Sequence, residues 1–128
     1  MLKTLCLALH LCSTFNGPAR VIDGDTIIVE NYHVRLMGVD AEESNEPNGP
    51  AAKSYLENLL HNQIVHCQWN GEKSYHRYVA VCRTAAGDIA AQLVYFGLAL
   101  DCRRFSNGKY RHLEPNGIRT VLRQKPYC

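Results

Sequence analysis

A chain of 128 residues is long enough for one compact domain and too short for two ordinary ones, so we expect a single functional site. Hydrophobic residues make up 46% and charged residues 20%, which is typical of a globular protein rather than of a disordered chain. The formal net charge of +2 excludes the broad cationic surface of a protein that coats nucleic acid passively.

The beginning of the chain resembles a short secretory signal. Lys3 precedes an apolar run over residues 4–12, and two small residues follow it. A strand or helix that packs on the domain is the alternative, and the run is too short for a membrane span. The six cysteines favour an oxidising compartment. We therefore expect a signal peptide at residues 1–15, a mature domain at 16–128, and a secreted or periplasmic location.

Alternation of apolar and polar residues predicts a three-stranded meander at the start of the domain. The strands are predicted at residues 20–22, 26–29 and 33–39, with breaks at 23–25 and 30–32. The first break has the sequence Asp-Gly-Asp, which is typical of a turn.

A loop, a helix and a hairpin follow the meander. Polar residues predict a surface loop at 40–49, and Pro50 then opens a helix with apolar side chains along one face. Two further strands are predicted at 64–69 and 78–82, separated by the turn-rich segment 70–74.

A symmetric hairpin would place Cys67 opposite Cys82. A disulfide between them is then geometrically plausible, with two buried free thiols as the alternative.

A second helix is predicted after the hairpin. Asp88 can cap it, Ile89, Leu93 and Phe96 would face inward, and Gly97 is well placed to end it. The predicted element order is therefore β-β-β-α-β-β-α.

The remainder of the chain carries weaker signals. The Pro-Asn-Gly sequence at 115–117 breaks any helix begun near Lys109. We expect residues 118–128 to be irregular or short-helical.

Carboxylates concentrate around one arginine in the meander and the loop after it. Converging carboxylates need a cation to offset their repulsion, and oxygen-only ligation favours calcium or magnesium. Asp25 and Asp40 are the expected pair, with solvated loop carboxylates as the alternative. The group consists of Asp23, Asp25, Arg35, Asp40, Glu42 and Glu43.

Several stretches of the sequence resemble the thermonuclease family, the staphylococcal-nuclease-like proteins. The resemblance spans about residues 17–106, with the stretches in the right order. It implies an α+β, mainly β fold, a five-stranded OB-type barrel with two to three packed helices, which agrees with the predicted element order. The stretches are RVIDGDTI at 20–27, VRLMGVDAEE at 34–43, GPAA at 49–52, YHRYVA at 75–80 and GLA at 97–99.

The resemblance implies a calcium site beside a catalytic carboxylate. Asp25 and Asp40 would bind Ca²⁺ through their carboxylates, and Ala41, where the family usually has threonine, through its backbone carbonyl. Glu43 would orient or deprotonate the attacking water. Asp23 would support the water network around the ion.

Two arginines match the phosphate-binding arginines of the family. Arg35 and Arg77 each offer a guanidinium fork that suits phosphate oxygens and the charge that grows in the transition state. Surface salt bridges are the alternative for both. Tyr75 would lie beside the nucleotide phosphate.

A basic and aromatic group lies where the family places residues that stack on the base. Phe105 would stack, and Arg103 and Arg104 would follow the backbone of the substrate. A surface basic patch is the alternative.

The expected function is that of a calcium-dependent endonuclease, a phosphodiesterase acting on DNA and RNA with little sequence specificity. The resemblance implies a preference for single strands, and we expect a monomer. The alternative is a non-catalytic OB module that binds single-stranded nucleic acid or a protein partner.

Overall fold

The predicted meander is present in the computed structural model, which describes residues 13–128. β1 (Thr14–Asp23), β2 (Thr26–Val29) and β3 (Tyr32–Leu36) follow one another along the chain. β1 pairs antiparallel with β2, and β2 pairs antiparallel with β3. Alternate side chains of these strands point to opposite faces, so the apolar set of each strand enters the core.

The third predicted strand, at 33–39, is wrong in its extent. β3 ends at Leu36, and β4 (Val39–Asp40) is a separate strand that pairs with residues 100–101. Gly38 lies between them at φ 81°, a left-handed conformation that interrupts a strand. A Cβ at that position would lie 2.9 Å from the Cβ of Ser106. Glycine therefore allows both the bend and the close approach of a neighbouring segment.

A long hairpin closes the barrel. Its strands are β5 (Ile64–Ser74) and β6 (Arg77–Thr84), which pair antiparallel. β1 pairs with β5, and β3 pairs parallel with β6, so five strands form a closed ring in the order β3-β2-β1-β5-β6. Because the ring is closed, each of these five strands pairs with a neighbouring strand on either side over part of its length. The interior is filled by apolar side chains that include Ile27, Val34, Leu36, Val65 and Ala80.

The hairpin turns later than predicted. Residues 70–74 belong to β5, and the turn lies at Tyr75 and His76, with Tyr75 at φ 58°. The ladder shifts between Trp69 and Lys73, where residues 70–72 bulge out of register. A bulge absorbs extra residues without ending the strand, so the Asn-Gly sequence at 70–71 lies inside β5.

Helices cover the barrel, which confirms the predicted fold class. α1 (Gly49–Leu60) buries Ala52, Leu56 and Leu60. β7 (Gly87–Asp88) adds a short strand at the edge of β6, and the Asp88 side chain caps α2 (Ile89–Tyr95) by accepting a hydrogen bond from the Ala91 amide at 3.2 Å.

The prediction that Phe96 faces inward is wrong. Its side chain is 58% exposed, and its ring packs on that of Tyr55 with centroids 5.5 Å apart. The helix ends at Tyr95, and Gly97 follows at φ 72°, so Phe96 lies beyond the regular part of the helical face.

The segment after α2 contains only short elements. β8 (Leu100–Asp101) is the partner of β4, and α3 (Arg103–Ser106) follows it. Two 3₁₀ turns, Arg111–Leu113 and Ile118–Thr120, precede an irregular stretch, as expected from the sequence.

Two disulfides connect distant parts of the described chain. Cys67 is bonded to Cys82 across the β5–β6 hairpin, where the two residues are directly opposite. Cys102 is bonded to Cys128. The disulfides are compatible with an oxidising compartment.

The boundary between the predicted signal and the domain stays a prediction, because most of residues 1–15 lie outside the described residues. Phe15 is buried in the core, and Thr14 pairs with Gln68 of β5. Within residues 13–128, no helix combines the length and the apolar character that crossing a bilayer requires.

Candidate active site

A cleft of about 830 Å³ opens between β3, the β5–β6 hairpin, α3 and the segment around residue 127. Five of the residues singled out from the sequence line it, Arg104 among them. Arg35 comes from β3, Tyr75 and Arg77 come from the hairpin turn and the start of β6, and Phe105 comes from α3. The parallel pairing of β3 with β6 brings both arginine-bearing strands to the same side of the barrel.

Arg35 is held in a fixed position by backbone and carboxylate oxygens. Its Nη1 donates to the carbonyl oxygens of Leu36 and Val39, both at 2.8 Å. Its Nη2 lies 3.5 Å from Oδ2 of Asp25, and both side chains are largely shielded from solvent. Charge-assisted contacts of this kind order the guanidinium before any ligand binds.

Arg77 is connected to Arg35 through a hydroxyl and a carboxylate. Arg77 Nη1 donates to Oγ1 of Thr26 at 3.1 Å, and that hydroxyl donates to Oδ1 of Asp25 at 3.0 Å. The other carboxylate oxygen of Asp25 faces Arg35. Ser74 also fixes Arg77, since its hydroxyl accepts from Nη2 at 3.0 Å. Two hydrogen bonds and one ion pair therefore join three residues predicted for the site, with Thr26 as the link between Arg77 and Asp25.

Asp40 lies next to Asp25 in a buried position. Burial raises the pKa of the Asp40 carboxyl, and the negative charge of Asp25 also raises it, while the Lys125 amide and the positive charges of Lys125 and Arg35 oppose the rise. The Lys125 amide donates to Oδ2 of Asp40 at 2.8 Å. Two neighbouring carboxylates, one of them buried, form a site that favours a cation.

Ala41 and Gly24 bring the first turn against the loop after β4. The amide of Ala41 donates to Oδ2 of Asp25 at 3.2 Å. A Cβ on Gly24 would lie 2.6 Å from that of Ala52 and 3.0 Å from that of Ala41. Glycine at position 24 therefore lets Asp23 and Asp25 approach α1 and the loop closely.

Glu42 holds the loop and a distant segment together. Its buried carboxylate accepts from the amide and the side-chain nitrogen of Asn48, both at 3.0 Å, and from the Arg123 amide at 3.0 Å. Burial opposes ionisation, but these hydrogen bonds outweigh it, and the pKa of Glu42 is lowered from its usual value. Glu42 is thus fully engaged within the protein.

Glu43 has a different environment from its neighbour. Its side chain is exposed, and its amide donates to Oε1 of Glu46 at 2.6 Å. A Cβ on Gly49 would collide with the Glu43 carbonyl oxygen, so glycine is required where the loop folds back on the start of α1. Of the two adjacent glutamates, Glu43 is the one whose carboxylate faces solvent.

Asp23 supports this same loop. Its Oδ1 accepts hydrogen bonds from both the amide and the hydroxyl of Ser44, the amide contact being 3.2 Å. The Asp-Gly-Asp turn therefore fixes the residue that follows Glu43.

The carboxylates suit a hard divalent cation in part. Asp25 and Asp40 supply oxygen donors, and calcium or magnesium completes its coordination with backbone oxygens and water. No three His, Cys, Asp or Glu side chains surround a common point among residues 13–128. The side chain of Glu43 therefore does not complete a three-carboxylate cluster with Asp25 and Asp40.

The basic residues of α3 differ in position. Arg104 lines the cleft, and its guanidinium carbon lies 5.5 Å from the centroid of the Phe105 ring. Arg103 is exposed and is not among the cleft residues. The structure thus brings Arg104 and Phe105 to the other cleft residues and leaves Arg103 outside.

Sequence reasoning missed two contributors to this region. Thr26 directly follows Asp25 and is the first residue of β2, and this position next to a predicted site residue was the only signal in the sequence. The other contributor is the segment 121–128, which supplies amides to Glu42 and Asp40 and places Tyr127 in the cleft. No local pattern in that segment indicates such a role.

The fold and the cleft define an OB-type barrel with a basic and aromatic face beside paired carboxylates. Residues 33–116 match the family model described as "Staphylococcal nuclease homologue". That match covers more than half of the chain, so the protein belongs to the staphylococcal nuclease family.

Curated relatives agree with the family match. A "Thermonuclease" of Staphylococcus intermedius is 36% identical over 106 residues, which cover 73% of this chain and 63% of that protein. An "Uncharacterized endonuclease" of Haemophilus influenzae is 28% identical over 107 residues, covering 77% of this chain and 60% of that protein.

The name of a third relative does not describe a nuclease. The "Succinoglycan biosynthesis protein ExoI" of Rhizobium meliloti is 32% identical over 106 residues, covering 73% of this chain and 56% of that protein. The matches span between 56% and 63% of the length of the three relatives.

Proposed function

We propose that the protein hydrolyses phosphodiester bonds in DNA and RNA at the cleft, with a preference for single strands and little sequence specificity. One observation supports the proposal most directly: Arg35 and Arg77 line the same cleft and are connected through Asp25 and Thr26, by an ion pair and two hydrogen bonds. Two ordered guanidinium groups suit a phosphodiester, whose negative charge increases as water attacks.

The proposed roles follow from the charges of the two cleft arginines and of the exposed carboxylate on the loop after β4. Arg35 and Arg77 bind the non-bridging phosphate oxygens and stabilise the developing charge. Glu43 orients the attacking water and accepts its proton, since its carboxylate is exposed while that of Glu42 is engaged. Asp23 holds Ser44 and so restricts the loop that carries Glu43.

Asp25, Asp40 and the carbonyl of Ala41 are the residues that we propose to hold calcium. A bound calcium ion would contribute positive charge close to the phosphate. The carboxylates repel each other, and burial of Asp40 increases the cost of leaving that charge uncompensated. Arg35 and the Lys125 amide keep the two carboxylates oriented.

Aromatic and basic side chains of the cleft account for the proposed substrate class. Tyr75 and Phe105 are 90% and 44% exposed, and Arg77 and Arg104 lie beside their rings. Rings stack on any base, and arginines contact the backbone, so neither reads the edge of a base pair. Arg103, on the same helix, would follow the substrate backbone outside the cleft. A secreted or periplasmic location is supported by the two disulfides.

Cleavage of a labelled single-stranded DNA and of a matching RNA by the purified protein tests the proposal. Cleavage is expected with calcium, should stop with a chelator, and should return when excess calcium is restored. Cleavage that persists in chelator would contradict the role of the metal. Binding without any cleavage would contradict hydrolysis and favour a non-catalytic OB module.

A further inference from the structure

An additional aromatic residue lies in the cleft beside Phe105. The ring of Tyr127 lies 6.4 Å from that of Phe105, centroid to centroid, and the ring planes are inclined by 60°. Tyr127 is 47% exposed and lines the cleft together with both arginines. The two rings come from segments more than twenty positions apart, so their proximity depends on how residues 121–128 are fixed.

Residues 121–128, called here the strap, are tied to the start of α3. Cys128 is bonded to Cys102, the residue that precedes α3, and the Arg104 amide donates to the Cys128 carbonyl oxygen at 3.3 Å. Tyr127 is adjacent to this bond, and Phe105 is on the helix that it anchors. The disulfide therefore holds the two rings on the same side of the cleft.

The other end of the strap is attached to the carboxylate side of the site. The Arg123 amide donates to Glu42 and the Lys125 amide donates to Asp40, at 3.0 Å and 2.8 Å. Lys125 Nζ also lies 3.0 Å from Oε1 of Glu46. The strap thus runs from the carboxylates to the aromatic end of the cleft and is fixed at both.

We propose that Tyr127 is a nucleobase-binding residue, held by the Cys102–Cys128 disulfide, that stacks on a base of the single strand bound in the cleft. The inference rests on the proposed function, because the arginines must hold the phosphates of the same strand. Rings inclined by 60° do not sandwich one base; they present two faces to successive bases. Phe105 takes one base and Tyr127 takes the neighbouring one.

Binding of two matched probes tests this role. One probe is a short fluorescent oligothymidylate, and the other has the same phosphates with every base replaced by an abasic residue. Anisotropy in calcium gives Kd for each, in a Glu43→Gln background chosen to slow cleavage. Tyr127→Ala should weaken binding of the oligothymidylate about tenfold and leave the abasic probe unaffected, since stacking requires a base. Tyr127→Phe should bind both probes normally.

A matched control is available on another surface. Tyr95 is exposed on α2 and is not a cleft residue, so Tyr95→Ala should leave both Kd values unchanged. An unchanged Kd for oligothymidylate in Tyr127→Ala would overturn the proposal. An equal loss on both probes would also overturn it, because the ring would then support the fold or a phosphate contact.

The disulfide has its own test. The double variant Cys102→Ser/Cys128→Ser should lose oligothymidylate affinity as Tyr127→Ala does, and adding Tyr127→Ala to it should cause no further loss. Full additivity of the two changes would refute the positioning role of the disulfide. If the wild-type protein binds with base dependence but never cleaves, hydrolysis fails while the stacking role of Tyr127 stands.

Discussion

Replacing Thr26 by valine should disconnect Arg77 from Asp25 without changing the size of the side chain. The hydroxyl accepts from Arg77 at 3.1 Å and donates to Asp25 at 3.0 Å, and Thr26 is buried in the barrel wall. Valine has similar shape and keeps the strand propensity of the position. The variant therefore isolates the hydroxyl as a positioning group.

The expected magnitude follows from the contacts that remain. A hydrogen bond to a charged group contributes about 1.5–3 kcal/mol, and Arg77 and Asp25 can partly rehydrate, so we expect about 1.5–3 kcal/mol of lost stability in total. Arg77 keeps its two contacts with Ser74. Its guanidinium should therefore be loosened rather than released, and a loss of about 1.4 kcal/mol in transition-state stabilisation would lower kcat/KM about tenfold.

Urea unfolding and steady-state cleavage of single-stranded DNA measure the two effects. Thr26→Ser retains the hydroxyl and should recover most of the lost kcat/KM, which a general effect on packing would not explain. The reasoning is refuted if Thr26→Val cleaves at the wild-type rate, or if Thr26→Ser is impaired as severely as Thr26→Val.

Three further outcomes are expected. Glu42→Gln should lower the free energy of unfolding at neutral pH by about 1–2 kcal/mol, because charge-assisted hydrogen bonds are lost. The pKa of Glu42 in the folded protein is below its usual 4.5, so its stabilising effect is present above that pH and disappears as the pH falls through the folded-state pKa. Urea titrations at several pH values should show the gap to wild type closing in acid; a gap independent of pH would contradict this. Cys67→Ser/Cys82→Ser removes a disulfide between residues separated by 15 positions and should lower the free energy of unfolding in urea by about 3 kcal/mol. An unchanged free energy of unfolding would contradict this expectation. Arg77→Lys should lower kcat/KM at least tenfold, since an ammonium cannot form the fork, and Arg77→Ala should lower it further; equal activity of lysine and arginine enzymes would rule out bidentate binding.

The strands that depend on local alternation were predictable. β2 has the predicted bounds because its alternation and flanking turns are local signals. The break in the third strand at Gly38 was not predictable. Met37, Gly38 and Val39 continue an apolar pattern, whereas the bend brings Gly38 close to Ser106, a residue far along the chain. The Asn-Gly sequence at 70–71 was misassigned to the turn, since the register of β5 against β6 decides where the chain reverses.

Part of the candidate site was predictable from short motifs. Asp25, Arg35 and Arg77 belong to stretches matching the family, and the structure joins them through Thr26. The family resemblance assigned the catalytic role to Glu43, but the different environments of Glu42 and Glu43 were not predictable. The distinction depends on Arg123, whose amide donates to Glu42 across a sequence separation of 81 residues.

The strap was not predictable for the same physical reason. Its position depends on the pairing of Cys102 with Cys128 and on the Lys125 amide bound to Asp40, at a separation of 85 residues. Several cysteine pairings were compatible with the sequence, and an irregular segment carries no periodic signal. The role of Tyr127 therefore became visible only with the fold.

The single-turnover rate of DNA cleavage in Glu43→Gln tests the central claim most directly, because it compares a carboxylate with its neutral isostere in the proposed site. The matched control is Glu57→Gln, which changes an exposed glutamate on α1. The account predicts that the rate falls at least about a hundredfold in Glu43→Gln and stays at the wild-type level in Glu57→Gln. A wild-type rate in Glu43→Gln would contradict the account.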